Sequence, residues 1–331
     1  MGGVALLGWA HIHTPGFARM LKAHQDIAVT GVYDHDRERA AKAAAEFGVP
    51  VFESPEAALA DSRTDAVVIA SETDRHGDLV FAAAAAGKAM FVEKPLGFSA
   101  DSALQMADAV EKAGVIFQTG YFSRGRGIFR FLRDELQAGA FGTVTRVRFA
   151  NCHDGLYRGF FDQEWRWMAD PAVAGCGAFG DLGTHALDIL MWYFGIPESG
   201  TASLFTADGR FGSDCDEGGE ALLRFPGNVT ATLAASWLDG DVPCTFEIAG
   251  TRACASIIRN ELYYWNPDRD LDGRTPYPAL PADLPHAFEL FCQAITGGNP
   301  PLVPVREAAM RSVVMEQLYT AARTGTIVKL G

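Results

Sequence analysis

Positive charge is scarce in this sequence: 28 lysines and arginines stand against 41 aspartates and glutamates, for a net charge of −13. Nucleic acid and anionic membrane surfaces reward clustered Lys and Arg, so the deficit excludes both as general partners and favours a small molecule. Long apolar runs are also missing. No stretch approaches the roughly 20 apolar residues that span a bilayer. The early run "VALLG" lacks the basic start, length and cleavage site of a secretory leader, so a cytoplasmic protein is expected. Cysteine is sparse and scattered. Cys152, Cys176, Cys215, Cys244, Cys254 and Cys292 form no C-x-x-C and no zinc-ligand spacing, which reads as reduced thiols.

What is present is enough apolar residue, 48% of 331, for two cores. The first third alternates apolar strand-type runs ("VALLG", "IAVTGVYD", "AVVIA", "AMFVEKP", "VIFQTGY") with Ala-rich helical stretches such as "RERAAKAAAEFG" and "HGDLVFAAAAAGK". Continuous apolar strands between helices predict a doubly wound parallel sheet covered on both faces. After Tyr121 the rhythm changes. A helix over roughly 127–138 leads into "TVTRVRFANC", then "GEALLRF", "NVTATLAASW", "CTFEIAG", "RACASIIRN" and "ELYYW", strands without helices between them. That pattern predicts a mainly antiparallel open sheet within an α+β domain, followed by two helices near 285–295 and 306–323. The expected domains are 1–121 and 122–331.

Glycine is missing where a parallel-sheet protein of this kind would need it most. A phosphate-cradling loop after the first strand uses three glycines, and in "LLGWAHIHTPG" only Gly8 fits; Ala10 and His13 stand in the other two places. The second strand nevertheless ends in Asp34, 26 residues after Gly8, where an acid would hydrogen-bond an adenosine ribose. An ordinary helix-capping aspartate is the bland alternative. An acid there repels a 2′-phosphate and favours NAD, while Arg37 and Arg39 keep NADP possible.

Two further stretches carry chemistry. "FVEKPLG" puts Glu93, Lys94 and Pro95 at the carboxyl end of a parallel strand, where such sheets bind ligands, and a lysine there can serve a hydroxyl proton. In "AGCGAFGDLGTHALDIL", Asp181, His185 and Asp188 fall at i, i+4 and i+7, one face of a helix starting near Asp181. An acid/base pair, a helix cap and a divalent-metal site are all compatible with that trio; no second His or Cys cluster supports the metal, and none is expected.

Together, "EKP", "GCGAFGDLGTHALD" and the switch to an antiparallel second domain resemble the glucose-fructose oxidoreductase / inositol dehydrogenase / rhizopine catabolism (Gfo/Idh/MocA) family of NAD(P)-dependent oxidoreductases. The resemblance implies a Rossmann domain and a second domain that builds the substrate pocket and an oligomer interface, a dimer or tetramer. It implies Lys94, Asp181 and His185 as catalytic residues, with hydride passing between a secondary alcohol and nicotinamide. A cis bond between Lys94 and Pro95 is also implied. "ASETDRH" looks like the family's A-T-P-N-x-x-H, with Ser71, Thr73 and His76 at cofactor positions beside Gly8, Trp9, Ala10, Asp34, Glu93, Lys94 and Pro95. "GYFSR" resembles the stretch after the sixth strand and brings Tyr121 and Arg124 toward substrate.

Trp9, His11 and His13 depart from the family loop; either histidine could contact phosphate, enter the mouth of the site, or simply be a packed or solvated loop residue. In "NCHDGLYRGFFDQEWRW", aromatic and polar groups suit a sugar ring, so His153, Trp165 and Arg166 are substrate candidates, with Trp165 and Trp167 as core residues the bland alternative. The expected function is an NAD-dependent dehydrogenase of a sugar, inositol or related polyol. A redox-assisted glycosidase or lyase with retained NAD, and a non-catalytic regulator on the same fold, are the alternatives.

Overall fold

A computed structural model describes residues 2–330. Its first sheet is parallel and five-stranded: β1 (Gly2–Trp9), β2 (Ile27–Tyr33), β3 (Ala66–Ala70), β4 (Ala89–Val92) and β5 (Phe117–Thr119), in the order β2-β1-β3-β4-β5. Every residue of β1 and β3 is buried, as continuous apolar strands covered on both faces require. A lone parallel bridge from Val32 to Val51 extends the sheet beyond β2. Five helices cover it: α1 (Thr14–Ala23), α2 (Arg37–Phe47), α3 (Pro55–Ala60), α4 (His76–Ala85) and α5 (Ala100–Ala113). Their ends are written in the sequence. Asp36 caps α2 by accepting the Glu38 and Arg39 N–H groups, and Gly48 ends it at φ +68°, a conformation glycine adopts without strain.

The second sheet has nine strands: β6 (Val144–Cys152), β7 (Ser199–Phe205), β8 (Gly218–Phe225), β9 (Val229–Ser236), β10 (Cys244–Gly250), β11 (Cys254–Ile258), β12 (Glu261–Asn266), β13 (Leu271–Pro276) and β14 (Val328–Lys329). All pairs are antiparallel except β6 with β9. Its helices are α6 (Gly127–Gln137), α7 (Pro171–Ala174), α8 (Ala178–Phe194), α9 (Ala287–Ile295) and α10 (Val305–Thr324). Helix α8 is buried from Ala178 to Met191 because it lies between the sheet and α10.

The chain then returns to the first sheet. Phe288, Phe291 and Cys292 of α9 complete the core on one face, where Phe288 stacks on Phe17 at 4.3 Å. Val303, Val305, Ala308 and Ala309 complete the other. The last segment therefore ties the two sheets together, and the carboxyl ends of β1 to β5 face the start of α8.

Candidate active site

The deepest polar corner joins the two sheets. Lys94 follows β4 and is 4% exposed; its Nζ donates to Asp181 Oδ1 at 2.6 Å. Trp237, at the end of β9, donates its indole N–H to Asp181 Oδ2 at 3.0 Å, so both carboxylate oxygens are held. Burial alone would lift the Asp181 carboxyl, but the Lys94 charge and hydrogen bond outweigh it and hold the group well below the carboxylate range. The same pairing acts on Lys94 in reverse. Burial would lower its amine, yet Asp181 and Glu93 raise it, so the lysine stays charged. One turn along α8, His185 is 6% exposed and its Nδ1 has no hydrogen-bond partner. Burial and the Lys94 cation push His185 well below the ordinary imidazole value, so this ring is neutral.

Glu93 is fully buried beside this corner. Its Oε2 accepts the Lys94 backbone N–H at 3.0 Å, and its Oε1 accepts from His13 Nδ1 at 2.9 Å, with His11 Nδ1 at 3.7 Å. Burial would raise the Glu93 carboxyl, but His11, His13 and Lys94 outweigh it and keep the acid ionised. His11 is buried against Trp167, whose indole N–H donates to the Ala10 carbonyl at 3.0 Å. Desolvation takes the His11 imidazole down to about 3. The Lys94–Pro95 bond is cis. The next carbonyls are fixed by His76, whose Nδ1 donates to Pro95 and Leu96 at 3.2 Å.

Two family models match this arrangement: the oxidoreductase family with an NAD-binding Rossmann fold over residues 3–121, and the GFO/IDH/MocA C-terminal domain over 129–256. The chain belongs to the Gfo/Idh/MocA oxidoreductase family. A D-xylose 1-dehydrogenase (NADP(+)) of Haloferax volcanii is 29% identical over 98% of each chain. A 1,5-anhydro-D-fructose reductase of Ensifer adhaerens is 25% identical over 91% of each. Among solved structures, a levoglucosan dehydrogenase complexed with NADH and levoglucosan superposes with a TM-score of 0.80, at 20% identity and 99% coverage of each chain.

For a Gfo/Idh/MocA protein the dinucleotide loop is altered. Gly8 sits at φ +79°, and a Cβ there would lie 2.4 Å from Ser71 Cβ, so the glycine is required for β1 to pass β3. The Ala10 and His11 N–H groups both donate to the Ala70 carbonyl, and His13 N–H donates to His11 Nδ1. Backbone donors that a glycine loop turns toward phosphate are engaged inside the protein. The ribose end fits better. Asp34, fully buried, accepts from the Trp9 N–H at 2.7 Å, and the Glu72 Oε2 nearby is buried without a hydrogen bond. Arg39 lies over Asp34 with two hydrogen bonds, 2.7 and 2.8 Å, and reaches Glu72 at 2.8 Å. Arg37 turns outward to Glu53.

The remaining sequence candidates divide. Thr73 and Pro95 line a small chamber with His11, Lys94, Trp167, Cys176 and Asp181. Ser71 donates to the Glu72 carbonyl and Trp9 packs on Phe47. Half-buried His153 lies within electrostatic reach of Asp181 and Lys94. Tyr121 is 2% exposed, with its hydroxyl on Thr184 at 2.9 Å. Arg124 makes a two-point bridge to Asp188, and Arg311 joins them, so Asp188 turns away from Asp181 and His185 although it shares their helix. Trp165 packs on the second core and Arg166 lies exposed over Phe211. Trp167 and Trp237 are the polar contacts that sequence reasoning missed. Trp167 lay in the "EWRW" stretch it singled out, whereas nothing in sequence marks Trp237.

Proposed function

We propose that this chain is a dehydrogenase that moves a hydride between nicotinamide and a secondary alcohol of a sugar, inositol or related polyol. The observation that carries the reading is the buried corner where Lys94 from one sheet meets Asp181 from the other, with His185 neutral and its Nδ1 unpaired one turn away. The charged Lys94 ammonium holds the substrate oxygen and stabilises negative charge developing on it. Neutral His185 takes the hydroxyl proton, a role for which a charged lysine is unsuited. Asp181 positions and charges Lys94, and Trp237 positions Asp181. NAD, when bound, supplies the hydride acceptor. Asp34 and Glu72 would hold its ribose beside Gly8, with Thr73, Glu93, Lys94 and Pro95 at the nicotinamide end. Ser71, Trp9, Ala10 and His76 shape that edge, where His76 Nε2 is buried without a hydrogen-bond partner among the described residues.

Asp34 favours NAD over NADP by repelling a 2′-phosphate. Arg39, with Arg19 and Lys42 around a neighbouring cleft of about 260 Å³, is the group that would admit NADP. His153 and Trp167 border the substrate side. All six cysteines are free, which suits a reducing cytoplasm. No helix among the described residues is long and apolar enough to cross a membrane. The uncovered face of the second sheet exposes Leu222, Ile258 and Trp265, the surface for a homodimer or tetramer.

A panel of sugars and inositols read by NADH fluorescence tests this function. Net NADH formation with one polyol class is expected. Turnover of a glycoside without net NADH would instead establish the redox-assisted lyase, and failure to turn over any of the panel while dinucleotide binds would favour a regulator.

A further inference from the structure

The expectation of no metal weighed only Asp181, His185 and Asp188, but folding assembles a different set. His11 and His13, two residues apart in the altered loop, meet Glu93 from the end of β4, and one ligand-type atom of each lies within 4.8 Å of the others. Both imidazoles address the same oxygen: Glu93 Oε1 is 2.9 Å from His13 Nδ1 and 3.7 Å from His11 Nδ1. Two ligands each roughly 2.0–2.2 Å from a shared ion, at angles between octahedral and tetrahedral, stand about 2.9–3.5 Å apart. The two separations from Glu93 Oε1, 2.9 and 3.7 Å, meet that range to within a few tenths of an ångström, and the ligand atoms of the two imidazoles lie within 4.8 Å of each other.

The chemistry of each donor agrees. His11 Nδ1 accepts a long hydrogen bond, 3.3 Å, from the His13 N–H, so this nitrogen is unprotonated, and a metal takes the same lone pair in place of that contact. Glu93 is fully buried, and the nearest permanent cation, Lys94, is committed to Asp181 at 2.6 Å. A buried carboxylate facing two imidazoles lacks a permanent counter-charge of its own, and a divalent ion supplies one. His13 is about one-third exposed, which gives the ion a route in. We propose that His11, His13 and Glu93 form a three-ligand site for a divalent transition-metal ion. Two imidazoles and a carboxylate suit zinc, iron(II), cobalt(II) or manganese(II) over calcium or magnesium. With three protein ligands, the ion keeps open positions.

Cobalt(II) added to the chelator-treated full-length protein is the probe, read by visible absorption and by metal content after dialysis. One equivalent should bind and give ligand-field bands, with the imidazole proton of His13 moving from Nδ1 to Nε2 as Nδ1 takes the ion. His13→Ala, a change at a partly exposed side chain that spares the core, should weaken binding at least tenfold, and so should Glu93→Gln. His24→Ala removes a second candidate cluster, His24 with Glu289 and Cys292, and should leave the titration unchanged. The assignment is overturned by absence of stoichiometric cobalt binding. It is equally overturned if a folded His13→Ala protein, checked by its melting curve, binds cobalt as the parent does, or if His24→Ala abolishes the bands. None of these readouts depends on activity.

Discussion

Helix α8 carries two buried aspartates two turns apart, and their surroundings differ in kind. Asp188 is saturated: Arg124 and Arg311 each donate to it, and Glu307 closes the group on the far side. Asp181 has one cation and one indole N–H, and the neighbouring His185 is left with a buried nitrogen that nothing among the described residues satisfies. Buried polar atoms without partners are uncommon, so the unsaturated cluster marks where a ligand belongs and the saturated one marks structure. Residue type and burial alone do not separate the two; the count of committed partners does.

The strongest way to break this comparison is to mutate the groups around each aspartate. Lys94→Met and His185→Ala should each lower kcat by about 10² to 10⁴, the usual contribution of a positioned acid/base group, while dinucleotide affinity by fluorescence titration changes little. Near-native kcat in Lys94→Met would remove the catalytic assignment. At the other aspartate, Asp188→Ala leaves two guanidinium groups poorly compensated and should cost about 3–5 kcal/mol in urea unfolding. A stable Asp188→Ala protein would mean the saturated cluster is not structural after all.

The pH dependence of stability sharpens the contrast further. His185 and His76 have folded pKa values below the unfolded value near 6.5, so below about pH 6.5 the unfolded chain binds more protons than the native one. Their contribution is complete above that pH and is lost as pH falls toward the folded values, at up to ~1.4 kcal/mol per pH unit for each. Urea midpoints between pH 7.5 and 5 should show this slope, and His185→Gln should flatten it. The smallest effect concerns the coenzyme. Asp34→Ala removes an acceptor and the 2′-phosphate repulsion, so the ratio of kcat/KM for NAD to that for NADP should fall about tenfold. An unchanged ratio would place discrimination with Arg39.

Much of this was legible in sequence, for stated reasons. The buried strands β1, β3 and β4 read clearly because they are continuous apolar runs, and α8 because "DLGTHALD" holds its period. Strand β7 escaped because Ser199–Phe205 is largely small, polar and half-exposed. The helix expected from Pro285 starts at Ala287, since proline has no N–H to donate and His286 supplies the cap. Asp188 could not be separated from Asp181 by spacing: its partners, Arg124 and Arg311, lie 64 and 123 residues away in the chain. Tyr121 and Arg124 were expected at the substrate; in the fold the Tyr121 hydroxyl meets Thr184, Arg124 meets Asp188, and both residues line a cavity of about 550 Å³. The loop histidines carried a visible departure from pattern, but not the destination of their side chains, because Glu93 reaches them only through tertiary pairing.

The hydrogen bond from Trp167 to Ala10 bears on kinetics. The chamber bounded by His11, Lys94, Trp167 and Asp181 holds only about 10 Å³, room for at most a single water. In this closed geometry a sugar ring has no place beside the Lys94 ammonium. If the indole lets go of the Ala10 carbonyl to admit a ring, that release is a step of substrate entry, and Trp167→Phe, which cannot make the bond, should raise the association rate.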